Sequence, residues 1–252
     1  MIQEGDDLAE IILQSFDYAQ DKSPISNPQS LLPGDILVLA QKIVSKAEGR
    51  RIHLHGVAVT PEAGNLALET GKDPRLVQLI LNESRAVLRT RPGLIIVEHK
   101  LGFVCANAGI DHSNVEGERG ERSDDWVLLL PENPDASAAK IRAGLEAASG
   151  ARLGVLIIDS HGRAWRNGVT GAVIGISGLP GVVDKRGDHD LVGRELVATL
   201  IGAADELAGA ASLLMGQAAE GTPVIHVRGF PYPLRESNLV ELLRPRELDL
   251  FR

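Results

Sequence analysis

This 252-residue chain has a single cysteine, Cys105, so no disulfide framework can form within it. That economy of thiols fits a reducing, cytoplasmic setting. Cys105 sits in an apolar run and reads as a buried structural thiol rather than a nucleophile. Aromatic residues are only 3% of the chain, which leaves no set of base-stacking platforms for single-stranded nucleic acid. The net charge is −8, so a non-specific nucleic-acid surface is disfavoured. No run of about 18 apolar residues is present, which excludes a helical membrane span. The start, M-I-Q-E-G-D-D, lacks the basic opening of a signal peptide. Two phosphate-binding signatures are also missing, G-x-x-x-x-G-K-S/T and G-x-G-x-x-G. A nucleotide, if bound, is held without a P-loop or a dinucleotide fingerprint.

What is present is a globular composition, 44% apolar and 24% charged, sized for one large domain or two small ones. Asp6–Gln14 reads as an amphipathic helix capped by Asp6 or Asp7. Tyr18–Gly34 reads as a surface loop and Asp35–Ala40 as a buried strand. Asp73-Pro74 supplies a cap and a first-turn proline for a second helix. Leu94–Val97 and Phe103–Ala106 read as paired strands joined by a turn at Lys100–Gly102. Glu116–Asp125 is a charge-dense loop, followed by a strand at Trp126–Leu130. Asp135 is expected to cap a helix ending at Gly150. A strand from Gly154 to Asp159, a loop to Asn167 and a Gly-rich strand Val169–Ser177 come next. Asp190–Met215 reads as one long Ala/Leu-rich helix, Pro223–Val227 as the last strand, and the tail from about 237 as charged and partly helical. Strands and helices do not alternate strictly, so a mixed α+β architecture is expected in place of a doubly wound sheet.

Two segments carry the chemistry. C-A-N-A-G-I-D-H-S-N-V at 105–115 places Asp111 and Asn114 after an apolar stretch, and G-V-L-I-I-D-S at 154–160 ends abruptly in Asp159. Carboxylates delivered from the ends of separate apolar segments suit a hard divalent cation shared with phosphate oxygens. Between 159 and 168, Arg163 and Arg166 are spaced to fork onto phosphate or carboxylate oxygens. His161 offers an imidazole, although a loop histidine is ordinarily neither acid nor ligand. Trp165 reads as a packing residue. Lys46 follows the first buried strand and can reach a phosphate. The glycines at 171, 175, 178 and 181 match no phosphate cradle and read as close backbone packing.

Six blocks together resemble one family. They are G-D-I-L-V-L-A-Q-K-I-V-S-K-A-E-G-R at 34–50, N-A-G-I-D-H-S-N-V at 107–115, D-S-H-G-R-A-W-R-N-G at 159–168, A-V-I-G-I-S-G at 172–178, D-L-V-G-R-E-L at 190–196 and L-L-M-G-Q at 213–217. The family is the coenzyme F420-0:γ-glutamyl ligases, and the resemblance runs in order from about residue 5 to 230. It implies an unusual α+β fold forming an intertwined homodimer, with GTP bound without a P-loop. The implied reaction joins L-glutamate to coenzyme F420-0 through an acyl phosphate, with Mg²⁺ or Mn²⁺, two ions, at the site and K⁺ as activator. By that resemblance Asp111, Asp159, Ser160 and Gln217 hold metal. Gln41, Lys42, Lys46, Asn114 and the segment Met215, Gly216, Gln217, Ala218 to Gly221 meet GTP. Arg163, Arg166 and Arg194 are added as partners of phosphate or carboxylate. The family's first N-terminal strand has no counterpart before Met1. Two alternatives stay open: an amide ligase acting on another phosphorylated acid, and a GTP/GDP- and metal-binding protein without ligase activity.

Overall fold

The two apolar runs lie side by side at the centre of the molecule. In the computed structural model, which describes residues 1–20, 30–115, 117 and 125–250, β1 (Ile36–Ala40) pairs in parallel with β7 (Gly154–Arg163). They form the middle of a mixed four-stranded sheet. β8 (Arg166–Ser177) lies antiparallel beside β7, and β11 (Val224–Val227) antiparallel beside β1. Both faces of this sheet are covered, which is why β1 and β7 read as unbroken apolar runs and not as alternating strands. Leu37, Leu39, Val155 and Ile157 face α1 (Leu8–Gln20) and α5 (Pro134–Ser149). Ile36, Val38, Leu156 and Ile158 face α6 (Ala203–Met215), whose Ala204, Ala208 and Ala211 are buried against them.

Small residues let the helices come close. A Cβ on Gly171 would stand 2.5 Å from the Ala208 carbonyl oxygen on α6, and one on Gly175 would stand 2.6 Å from the Pro134 backbone at the start of α5. β8 is thus gripped from opposite faces at two glycines. Gly171→Ala is expected to cost about 1–3 kcal/mol in a denaturant titration, as overpacking generally does. Gly162→Ala, with nothing within 4 Å, should leave the midpoint unchanged.

A second core lies beside the first. The sheet β3 (Ser84–Arg91), β4 (Leu94–His99) and β5 (Val104–Ala106) packs with α3 (Pro61–Thr70) and α4 (Pro74–Asn82) around Val77, Ile80, Ile95 and Val97. Asp73 caps α4 through the Arg75 N–H at 2.8 Å, with Pro74 in the first turn, as expected. β4 and β5 pair antiparallel around the Lys100–Gly102 turn. The short pair β2 (Arg51–His53) and β6 (Trp126–Leu128) links α2 (Gln41–Ala47) to this layer. Phe103 packs against both cores.

Several expectations need correction. Residues 190–202 are not helical: they belong to an arm in which β9 (Val183–Asp184) pairs with β10 (Leu200–Ile201). Asp190 Oδ1 there accepts the N–H groups of Val192 and Arg194, and the helix starts only after Gly202. The expected loop between 159 and 167 is instead a continuation of the β7–β8 ladder to Arg163↔Arg166. It turns at Trp165, which is 82% exposed and so is not the buried packing residue expected. α5 is capped by Asn133, while Asp135 accepts the N–H groups of Ile176 (2.8 Å) and Leu239 (3.0 Å) and so ties the tail to β8. α1 runs to Gln20, past the expected Gln14, with Asp7 as its cap. The strand at 126 ends at Leu128. The tail has two single turns, Leu239–Glu241 and Arg246–Leu248. The expected loop at 116–125 lies outside the described residues except Gly117 and Asp125, as does most of the one at 18–34. Among the described residues, no helix is long and apolar enough to cross a membrane.

Candidate active site

Asp159 lies where β7 leaves the packed part of the sheet. Its backbone pairs with Ala172, and the preceding Ile157 and Ile158 are buried. Asp111 arrives from the other core. After β5 the chain coils through Asn107, Ala108 and Gly109, all at positive φ (50°, 54° and 65°). The Asn107 side chain fastens this turn by accepting the Ile95 N–H at 3.1 Å. Asp111 is then clamped by two backbone hydrogen bonds with Leu128, at 3.0 and 2.9 Å.

The two carboxylates line one cavity of about 290 Å³, together with Lys42, Ser113, Ser160, His161 and Gln217. Burial pushes the Asp111 carboxyl up to about 6; the Lys42 ammonium opposes this, and the charge of Asp159 adds to it. Lys42 Nζ is 3.4 Å from Asp111 Oδ2 and donates to Ser113 Oγ at 2.6 Å. Gln41 Nε2 donates to Asp111 at 2.7 Å, while Gln41 Oε1 accepts from the Ser45 hydroxyl at 2.9 Å, which fixes which end of the amide faces the carboxylate. His161 Nε2 is 3.2 Å from Asp159 Oδ2, without hydrogen-bond alignment. Cys105 is buried nearby, its thiol pushed up to about 12 by burial and by the Asp159 charge, which makes it inert as expected.

A second cavity of about 580 Å³ opens from the first. Lys42, Asp159, Ser160 and Gln217 line both. Its other walls are Gln41, Lys46, Asn114 and the segment from Met215 to Pro223. Ser160 Oγ donates to Gln217 Oε1 at 2.7 Å, and Asn114 Nδ2 reaches the Ala218 carbonyl at 3.4 Å. The sequence-derived set therefore gathers around two joined cavities: Asp111, Asp159, Ser160 and Gln217 at the smaller, and Gln41, Lys42, Lys46, Asn114, Met215, Gly216, Ala218 and Gly221 at the larger. Arg163 and Arg166 lie apart, exposed at the hairpin tip, where Arg163 Nη2 donates to the Asn167 carbonyl at 3.4 Å. Arg194 lies on the exposed 190–202 arm.

Sequence reasoning missed Ser45, Ser113 and Ser212. Ser45 had a readable signal, since it follows Gln41 by four residues on one helix and so shares its face. Ser113 and Ser212 (which accepts from Gln217 Nε2 at 3.3 Å) carried none.

Two half-buried carboxylates, two side-chain amides, a hydroxyl and flanking lysines form a donor set for a hard cation beside phosphate oxygens. The strain on Asp111 gives a direct test. A raised carboxyl contributes stability that is intact below about pH 4 and lost as pH rises through 6. Asp111→Asn should therefore raise the stability of the metal-free protein by about 1–3 kcal/mol at pH 8, and by little at pH 4. Equal midpoints at the two pH values, relative to wild type, would refute it.

Comparison with known proteins gives one family. The profile described as F420-0:γ-glutamyl ligase matches residues 1–229. The chain is 46% identical to the coenzyme F420:L-glutamate ligase of Methanothermobacter thermautotrophicus, over 100% of this chain and 95% of that protein. It is 42% identical to the protein of that name from Methanopyrus kandleri, over 100% and 93%. With that of Methanosarcina barkeri it shares 40% identity, over 100% and 91%. The chain belongs to the F420-0:γ-glutamyl ligase family.

Proposed function

We propose that this protein is a GTP-dependent ligase that joins L-glutamate to coenzyme F420-0. The reading rests on the family and on relatives named coenzyme F420:L-glutamate ligase. The structural observation that supports it is the junction at Asp159 and Ser160, which line both cavities. These residues would hold a divalent ion, which would supply charge neutralisation to a phosphate in the larger cavity.

The chemistry proceeds in two displacements. The carboxylate of F420-0 attacks the terminal phosphorus of GTP, giving an acyl phosphate and GDP. The glutamate amine then attacks the acyl carbon, phosphate leaves, and an amide remains. Neither step needs a protein nucleophile, so positioning and charge neutralisation carry the rate. Asp111, Asp159, Ser160 and Gln217 would hold Mg²⁺ or Mn²⁺, which supplies charge neutralisation on the phosphate oxygens. Lys42 and Lys46 extend that positive field. Gln41, fixed by Ser45, orients Asp111. Asn114 and the 215–221 segment close on the nucleotide. K⁺ activation and a homodimer belong to the same reading. The exposed Leu191, Val192 and Val197 on the arm and Leu213 and Leu214 on α6 supply apolar surface for the second copy.

The test is a reaction holding GTP, L-glutamate, F420-0 and Mn²⁺, followed by mass spectrometry. Product heavier by glutamyl units, with GDP formed in step, is the expected result. Tight GDP binding without product would overturn the ligase reading in favour of a binding protein. Glutamyl transfer to a different phosphorylated acid alone would overturn only the acceptor.

A further inference from the structure

A separate group of metal-binding side chains lies across the β2–β6 pair. The ligand atoms of His53, His55 and Asp125 all stand within 4.8 Å of one another, and among the described residues no other three such side chains do so. The backbone explains why they meet. Leu54 is buried in the second core, so its neighbours on either side, His53 and His55, turn outward together. His53 pairs across the ladder with Trp126, which sets Asp125 beside both imidazoles. The two rings already lie roughly parallel, with centroids 5.4 Å apart, and His53 packs on Trp126 at 4.7 Å.

We propose that His53, His55 and Asp125 bind a borderline first-row divalent ion of the Zn²⁺ or Ni²⁺ class. Two imidazoles and one carboxylate are a common ligand set for such ions. It is a poor set for Mg²⁺, which prefers oxygen ligands throughout. Bonds of about 2.0–2.2 Å require the ligand atoms to close to roughly 3.3 Å. His55 is exposed, and side-chain rotation is the freedom by which such ligands close on an ion. Of the neighbouring cations, Arg75 is 3.9 Å from Asp125 but is engaged with Asp73 at 2.6 Å, and the Arg51 guanidinium lies over the Trp126 ring at 4.4 Å. The bound ion joins the end of β2 to the start of β6, and Leu128 of β6 holds the Asp111 backbone. It therefore braces a support of the active-site carboxylate without entering either cavity. The proposal does not depend on the ligase reading.

Trp126 is the natural reporter. In full-length Trp165→Phe protein it is the single tryptophan, and Ni²⁺ beside His53 quenches it. The expected result is saturable quenching at one ion per chain, reversed by EDTA and by competing Zn²⁺ but not by excess Mg²⁺. His55→Ala, with folding checked by circular dichroism, should weaken Ni²⁺ binding on the order of a hundredfold. His55→Gln serves as a second variant, and Asp111→Asn should change nothing. Quenching that survives both His55 substitutions, or that disappears in Asp111→Asn, places the ion elsewhere and overturns the proposal. So does the absence of saturable quenching in folded protein.

Discussion

On the proposed metal site, Asp159→Ala is expected to lower glutamyl transfer about a hundred- to thousandfold, the scale seen when a preorganised electrostatic group is removed from a reacting centre. The fold should survive. Asp159 is held in β7 by its backbone pairing with Ala172, and its charge is one of the causes that push Asp111 up. Removing that charge relieves Asp111, so thermal stability should hold or rise above neutral pH. Glutamyl transfer by purified variant and wild type, with melting curves for each, gives both readouts. A variant that stays folded and active would remove Asp159 from the proposed metal site.

The second large effect is on stability and lies away from the site. Asp35 is only 1% exposed. Burial alone would raise its carboxyl. The Arg228 guanidinium (2.9 and 2.7 Å), the Leu32 N–H (2.8 Å) and the nearby His226 outweigh burial and bring it down to about 2. A lowered carboxyl contributes stability that is present above about pH 4 and lost as pH falls towards 2. Arg228→Ala leaves that carboxylate buried without its main partner, and should cost about 3–5 kcal/mol at pH 7. Adding Asp35→Asn to the variant should recover part of the loss. Denaturant titrations of the two proteins and wild type decide it; no loss in Arg228→Ala would mean that water reaches Asp35 freely.

The parts of this molecule legible in its sequence are those where local chemistry and tertiary demand agree. D-I-L-V-L-A and G-V-L-I-I-D are central strands because both faces of their sheet are covered. Asp73-Pro74 starts a helix with groups that lie within three residues of each other. Asp111 and Asp159 stood out as carboxylates ending apolar runs, and they do line one cavity. Where packing decided, the reading failed. The 190–202 arm has the leucine, valine and alanine of a helix, but Gly193, Gly202 and the turn made by Asp190 oppose one, and Leu191, Val192, Val197 and Leu200 face solvent. The polar stretch at 159–168 looked like a loop because the β7–β8 hairpin projects beyond the core. Its backbone ladder persists where no apolar alternation is needed. Asn133 took the cap expected of Asp135 because Asp135 is drawn to the N–H groups of Ile176 and Leu239, neighbours that only the tertiary fold supplies.

The coil at Asn107, Ala108 and Gly109 has a thermodynamic consequence for ligand capture. Ala108 is held left-handed and wholly buried, at a cost of about 1–2 kcal/mol that folding must offset. The aim of Asp111 is therefore fixed before any ion arrives, and little side-chain entropy remains to be lost at that carboxylate when one does. Calorimetry of ion binding should show this as an entropy change dominated by water released from the ion. A looser turn, as in Ala108→Gly, should bind with a less favourable entropy at similar enthalpy.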